Sequence, residues 1–114
     1  MNNKNIGNLG ETKASQYLES KGYQILSRNY RVRFGEIDII ALYKDTLVFV
    51  EVKSRKNDKF APASQAVNYK KQQTIRKVAA AYLNTHSLSF NEIRFDVIEY
   101  YYINQTISHL INAF

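Results

Sequence analysis

The 114-residue chain has no cysteine and no tryptophan, a single proline, four glycines and two histidines. Without cysteine there is no disulfide framework and no thiolate metal site. His86 and His109 are too few and too far apart in sequence for a structural zinc site of the usual kind. No apolar run approaches the roughly 20 residues of a membrane span, and Met1-Asn2-Asn3-Lys4-Asn5 has no secretory apolar stretch. Acid is scarce as well: 10 Asp plus Glu against 16 Lys plus Arg leave a net charge of +6. What these deficits allow is one soluble, cytoplasmic domain spanning 1–114, with no membrane association. Its 45% hydrophobic content suffices for a packed core. Its basic balance favours an anionic partner, most commonly nucleic acid.

Hydrophobic period divides the chain. Leu9, Ala14, Tyr17 and Leu18 recur at helical spacing over 8–21, and Gly22 is a natural terminator. Over 24–34 the period is two, with Tyr30, Val32 and Phe34 alternating with Asn29, Arg31 and Arg33, as in a half-buried strand. Phe34-Gly35-Glu36 is the expected turn into a second strand over 36–42, and Lys44-Asp45 the turn into a third over 47–53. Both of these are apolar on both faces, as central strands covered on two sides should be. The basic segment 54–62 reads as a loop. A helix is expected over 64–84, with Val67, Lys71, Ile75, Val78 and Tyr82 along one stripe. A strand follows over 93–100, and 107–114 is either a fifth short strand or a final turn. The fold class is α/β, in the order α-β-β-β-α-β, with a central sheet flanked by helices.

Two acids sit where acids are costly. Asp38 lies among isoleucines in Glu36-Ile37-Asp38-Ile39-Ile40, and Glu51 lies inside Leu47-Val48-Phe49-Val50-Glu51-Val52-Lys53. Burying one unpaired carboxylate costs several kcal/mol. A tight turn at Lys44-Asp45 makes the two strands antiparallel neighbours and brings Asp38 near Glu51, while Lys53 projects to the same face as Glu51. Two like charges about 4 Å apart repel by roughly 4 kcal/mol at an effective dielectric of about 20. A shared proton, a nearby Lys or Arg, or a divalent cation such as Mg²⁺ or Mn²⁺ would stabilise the pair. Glu11 is a candidate third acid, because it shares the core-facing stripe of the first helix. Its alternative reading is a first-turn glutamate favoured by the helix dipole.

Asp38, twelve residues, then Glu51-Val52-Lys53 on adjoining strands after a helix resembles the PD-(D/E)xK nuclease core of restriction-endonuclease-like proteins. Gly35-Glu36-Ile37-Asp38-Ile39-Ile40-Ala41 with Val48-Phe49-Val50-Glu51-Val52-Lys53 resembles, more narrowly, the YraN-like family of small bacterial proteins. Gly10-Glu11, Gly22-Tyr23-x-Ile25-Leu26-x-Arg28-Asn29-Tyr30-Arg31, Arg94-Phe95-Asp96-Val97-Ile98 and Asn112-Ala113-Phe114 extend that resemblance over nearly the whole chain. The superfamily's proline is replaced by Ile37, and Ala61 stands where the family would have glycine.

The resemblance implies a restriction-endonuclease-like core with a mixed sheet, and Mg²⁺- or Mn²⁺-dependent hydrolysis of a nucleic-acid phosphodiester. Asp38 and Glu51 would hold the metal, with the Val52 carbonyl and Glu11 as further ligands, and Lys53 would orient the attacking water and stabilise the phosphate. Arg31, Arg33, Arg55, Lys56, Lys59, Lys70, Lys71, Arg76 and Lys77 would then form a phosphate-binding track. Gln65 and Tyr69 match a Q-x-x-x-Y pattern carried by some recombination-associated nucleases, so Gln65 joins the candidate contacts. DNA, branched or recombination DNA in particular, is the expected substrate, and a homodimer would suit two strands. The competing reading is a nucleic-acid-binding module or partner subunit without turnover. Tyr100-Tyr101-Tyr102 reads as strand-end packing, His109 as an ordinary edge residue, and Asp96 as an ion-pair partner of Arg94 or Arg28.

Overall fold

Three switches of hydrophobic period, from helical to strand-like, back to helical and again to strand-like, order the elements. The computed structural model describes residues 3–57 and 67–114. It contains α1 (Asn3–Ser20), β1 (Gln24–Val32), β2 (Gly35–Tyr43), β3 (Thr46–Arg55), α2 (Tyr69–Thr85), β4 (Glu92–Tyr101) and β5 (Thr106–Leu110). The strands form one mixed sheet in the order β1-β2-β3-β4-β5, with β3 and β4 parallel and every other pair antiparallel. The parallel pair follows from the crossover through α2, and the hairpins from short turns. The segment 107–114 therefore contributes a fifth strand, followed by a turn. Among the described residues no helix is long and apolar enough to cross a membrane.

Each sheet face has its own core. Ala14 and Leu18 of α1 pack with Ile39, Ala41, Val48, Val50 and Ile98. Ile75, Val78, Ala79 and Tyr82 of α2 pack with Ile40, Leu47, Phe49 and Val97 on the other side. That double cover explains why β2 and β3 read as apolar on both faces.

Helix ends follow local chemistry. Gly22, at φ +95°, closes α1: its N–H donates to Glu19 O and the Tyr23 N–H donates to Leu18 O, both at 3.0 Å. Asn68 caps α2 by accepting from the Lys71 N–H at 2.9 Å. So α2 starts at Tyr69, not 64, with 64–66 outside the described residues. At the other end of the chain, α1 starts at Asn3 rather than 8, which places Glu11 in the middle of the helix and removes the first-turn dipole as a reason for it. The β1–β2 turn is Arg33-Phe34, one residue earlier than expected, because Gly35 already pairs with Val32. Residues 54 and 55 extend β3 instead of opening a loop.

Candidate functional site

The ladder is broken around Asp38. β2 and β3 pair from Tyr43↔Thr46 up to Ile39↔Val50 and no further, which leaves Asp38 and Glu51 one step beyond the last pair on each strand. On the other side, β1 pairs through Arg28↔Ile39 and Tyr30↔Ile37 and skips Asn29, which sits at φ +55°. Ile39 belongs to the core under α1 and Ile37 to the core under α2, although strict alternation would put both on one face. β2 thus changes faces across Asp38, and the carboxylate turns toward β3. There its Oδ2 accepts from the Val52 N–H at 2.8 Å. The Val52 carbonyl leaves β3 on the same side as that N–H.

Alternation along β3 puts Glu51 on the α2 face with Phe49. Lys71, in the first turn of α2, reaches it from above, with its Nζ 3.5 Å from Glu51 Oε2. A lysine at a helix N-terminus opposes the dipole; Glu51 is its local counter-charge. Lys53 is half-buried on the same side of β3. Glu11 comes from α1, on the opposite face. A side chain on Gly10 would meet Ser54 Oγ at 1.9 Å, so the glycine lets α1 lie close against β3, and Ser54 Oγ fastens that contact by donating to Ile6 O at 3.1 Å.

Asp38 is 8% exposed and Glu51 5%. Burial raises the Asp38 carboxyl to about 9; the hydrogen bond and charge of Glu51 and the charge of Glu11 push the same way, against the Val52 N–H. Without a counterion the pair therefore keeps a proton at neutral pH. Glu51 Oε2 and Glu11 Oε1 are buried with no hydrogen-bond partner among the described residues. The unmet Glu51 oxygen, beside a carbonyl and a second carboxylate, fits a hard divalent cation. The three acids do not close into a cage: among the described residues no three Asp, Glu or His side chains are grouped as a metal site would require.

Part of the expected basic track does assemble. Arg31, Arg33 and Lys71 line one depression of about 310 Å³ with Gly35, Glu36 and Thr74, between the β1–β2 hairpin and α2. Arg33 reaches it from the turn, not from the strand face shared with Arg31, and Arg31 pairs with Glu36 at 2.8 Å. Lys56, Lys70 and Lys77 are exposed. Arg55 departs from expectation: its guanidinium pairs with the fully buried Glu99. Arg76 also departs, lying over the rings of Phe95 and Phe114 at 4.7 and 5.4 Å. Lys59 and Gln65 lie outside the described residues, whereas Tyr69 is 74% exposed at the start of α2.

Two features were missed in the sequence. Glu99 is wholly buried in β4, and the argument that singled out Glu51, an acid inside an apolar strand, applies to it equally. His109 is no ordinary edge residue. Its Nε2 contacts Asp96 Oδ2 at 2.7 Å and its Nδ1 the Tyr17 hydroxyl at 3.0 Å. Arg94 holds Asp96 through two bonds of 2.9 Å, as expected, and donates to Tyr23 Oη at 2.6 Å. Burial opposes ionisation of Asp96, but His109, Arg94 and the Asn112 N–H outweigh it and hold the carboxyl below its usual range.

Curated relatives match this chain end to end. A UPF0102 protein of Alkaliphilus oremlandii is 53% identical over 98% of this chain and 99% of its own length. A UPF0102 protein of Clostridioides difficile is 50% identical over the whole of both chains. One from Caldanaerobacter subterraneus is 44% identical over all of this chain and 98% of its own. The model of the uncharacterised protein family UPF0102 matches residues 10–100, the span that holds Glu11, Asp38, Glu51 and Lys53. The chain belongs to that family.

Proposed function

We propose that this protein is a divalent-metal-dependent nuclease that hydrolyses nucleic-acid phosphodiesters. The carrying observation is the buried Asp38–Glu51 pair, held where the ladder opens and short of hydrogen-bond donors. The α-β-β-β-α-β order and mixed sheet agree with the restriction-endonuclease-like core that the sequence resembles.

Asp38, Glu51 and the Val52 carbonyl would hold the cation, with Glu11 reaching it from α1. When bound, Mg²⁺ or Mn²⁺ supplies an acidified water and neutralises phosphate charge. The protein's own groups do the rest. The Val52 N–H holds Asp38 Oδ2, and Glu51 hydrogen-bonds the same carboxyl. Lys53, on Glu51's side of β3, orients the nucleophile and stabilises charge on the phosphate. Arg31, Arg33 and Lys71 bind flanking phosphates, so affinity should fall steeply with salt. DNA, branched DNA first, is the substrate to test.

The lack of a three-acid group among the described residues favours a second reading, a nucleic-acid-binding module without turnover. Calorimetric titration with Mg²⁺ or Mn²⁺, comparing wild type with Glu51→Ala, separates the two, followed by cleavage of linear, flapped and four-way DNA. Saturable binding that the substitution removes, together with cleavage, supports the nuclease. Absence of binding with and without DNA sinks it.

A further inference from the structure

A cavity of about 550 Å³ lies between α1 and the end of β4, lined by Ile6, Leu9, Lys13, Tyr100, Tyr102 and Gln105. Ile6, Leu9 and Lys13 form one helical stripe, and at 100° per residue Glu11 points almost opposite to it. Gly10 faces the sheet between them, near Ser54 and the Cβ of Tyr100. The cavity and the carboxylate centre thus flank α1 on its two sides, over the same end of β3.

Tyr100 and Tyr101 are buried, as packing residues should be, but Tyr102 is only half-buried. Its position is fixed by the backbone. The Tyr102 N–H donates to Arg55 O at 2.9 Å and the Ile103 N–H to Lys56 O at 3.3 Å, so the chain follows the end of β3 beyond Lys53 before turning into β5. Gln105 stands in that turn at φ +55°.

Among the described residues the lining offers the half-buried Tyr102 ring beside the buried Tyr100, two aliphatic walls, one carboxamide, one ammonium and no carboxylate. A flat heteroaromatic ring with an attached phosphate answers each of these: rings for its face, the amide for its edge, the ammonium for its charge. An acyl chain would leave the lysine and glutamine unanswered.

We propose that this cavity receives one unpaired nucleobase, and that the protein therefore acts on single-stranded or unpaired nucleic acid whose backbone passes over the end of β3 to the Asp38–Glu51 centre. The link to cleavage rests on the nuclease reading; the binding itself does not.

The test is fluorescence anisotropy in EDTA, with the full chain and a labelled 12-nucleotide single strand or the matching blunt duplex. Tyr102→Ala should weaken single-strand binding about tenfold and leave the duplex within about twofold, while Tyr102→Phe restores wild-type binding. Lys13→Gln should reduce the single strand's logarithmic salt slope by about 0.7. Should Tyr102→Ala fail to fold, Lys13→Glu carries the same comparison, with an expected loss of about tenfold confined to the single strand. Equal losses on both substrates, no loss on either, or failure of Tyr102→Phe to rescue overturns the proposal. Cleavage of both substrates is assayed in parallel with Mg²⁺. Selective single-strand binding without cleavage would overturn the nuclease reading alone, and cleavage without that selectivity would overturn the cavity alone.

Discussion

Asp38 in β2 and Asp96 in β4 are both buried in one sheet, and their surroundings act on them in opposite ways. Asp96, at 0% exposure, receives two bonds from Arg94, one from His109 and one from the Asn112 N–H. Its carboxyl is held ionised. Asp38 has one backbone donor and faces a second carboxylate, and its carboxyl is pushed up to about 9. Arg94 and His109 supply the counter-charge that Asp96 needs. For the Asp38–Glu51 pair the cation within ion-pair distance, among the described residues, is Lys71, which is 41% exposed and in no hydrogen bond with the Glu51 oxygen it approaches. Asp96, with its partners in place, fixes the structure, whereas the Asp38–Glu51 pair, facing carboxylate with carboxylate, is the arrangement a cation would complete.

The largest contrast should appear in activity. Asp38→Ala or Glu51→Ala is expected to reduce cleavage by about 10³-fold or more, roughly 4 kcal/mol in the barrier. Metal-free DNA binding should persist in both variants, because the basic groups that would contact phosphate are untouched. Asp96→Asn, assayed on the folded fraction, should keep turnover within a few-fold. Equal loss of turnover in both variants would erase the distinction.

Stability should reverse that ranking. Asp96→Ala strands Arg94 and, when protonated, His109, at an expected cost of about 3 to 5 kcal/mol by urea unfolding. Asp38→Ala in chelator removes a protonated carboxyl with its bonds to Glu51 and the Val52 N–H but strands no cation, and should cost less, about 1 to 3 kcal/mol. Asp96 also has an acid signature. Its folded value is lowered, so its contribution is present above the unfolded value near 3.8 and disappears as pH falls through the folded one.

Legibility in the sequence divides along the same line. The strands could be read because alternation and double-faced apolar runs are local, and Asp38 and Glu51 stood out because carboxylates interrupt those runs. The start of α1 could not be read, since residues 3–8 are largely polar and give little apolar period. The start of α2 is ambiguous in the sequence because Ser64 and Asn68 are both competent cap residues, and Asn68 is the cap of α2 in the structure. The Asp96–His109 contact depends on the register of β5, where Ile98 pairs with His109, and no local pattern encodes it. The destinations of Arg55 and Arg76, on Glu99 and on two phenylalanine rings, are likewise settled by packing.

The two carboxyls should act with opposite sign in different windows, Asp96 below about pH 4 and Asp38 between there and about pH 9. Asp38 is raised, so the unfolded chain binds fewer protons than the folded one between its ordinary value of 3.8 and about 9. Stability in EDTA should fall as pH rises through that window, and Asp38→Asn should flatten the profile. Saturating Mg²⁺ should restore stability at the alkaline end, because it binds the ionised pair only in the folded state. Urea midpoints at pH 5 and pH 8.5, with and without Mg²⁺, check this. A wild-type stability that rises over the window would mean that Asp38 is ionised without a cation.

The smallest effect concerns the two lysine and arginine partners. Lys71 and Arg94 each contact a buried carboxylate, yet Lys71 is 41% exposed on its side-chain surface and Arg94 15%. Solvent screens the first pair, so Lys71→Met should change unfolding free energy by less than about 1 kcal/mol. Arg94→Met removes a two-bond partner from Asp96 and a donor from Tyr23, and should cost about 3 kcal/mol or more. Lys71→Met should instead show itself in DNA binding, as a salt slope smaller by about one phosphate contact. A large stability loss in Lys71→Met would mean that Glu51 is satisfied internally after all, and the carboxylate pair would then be a structural ion pair like the one in β4.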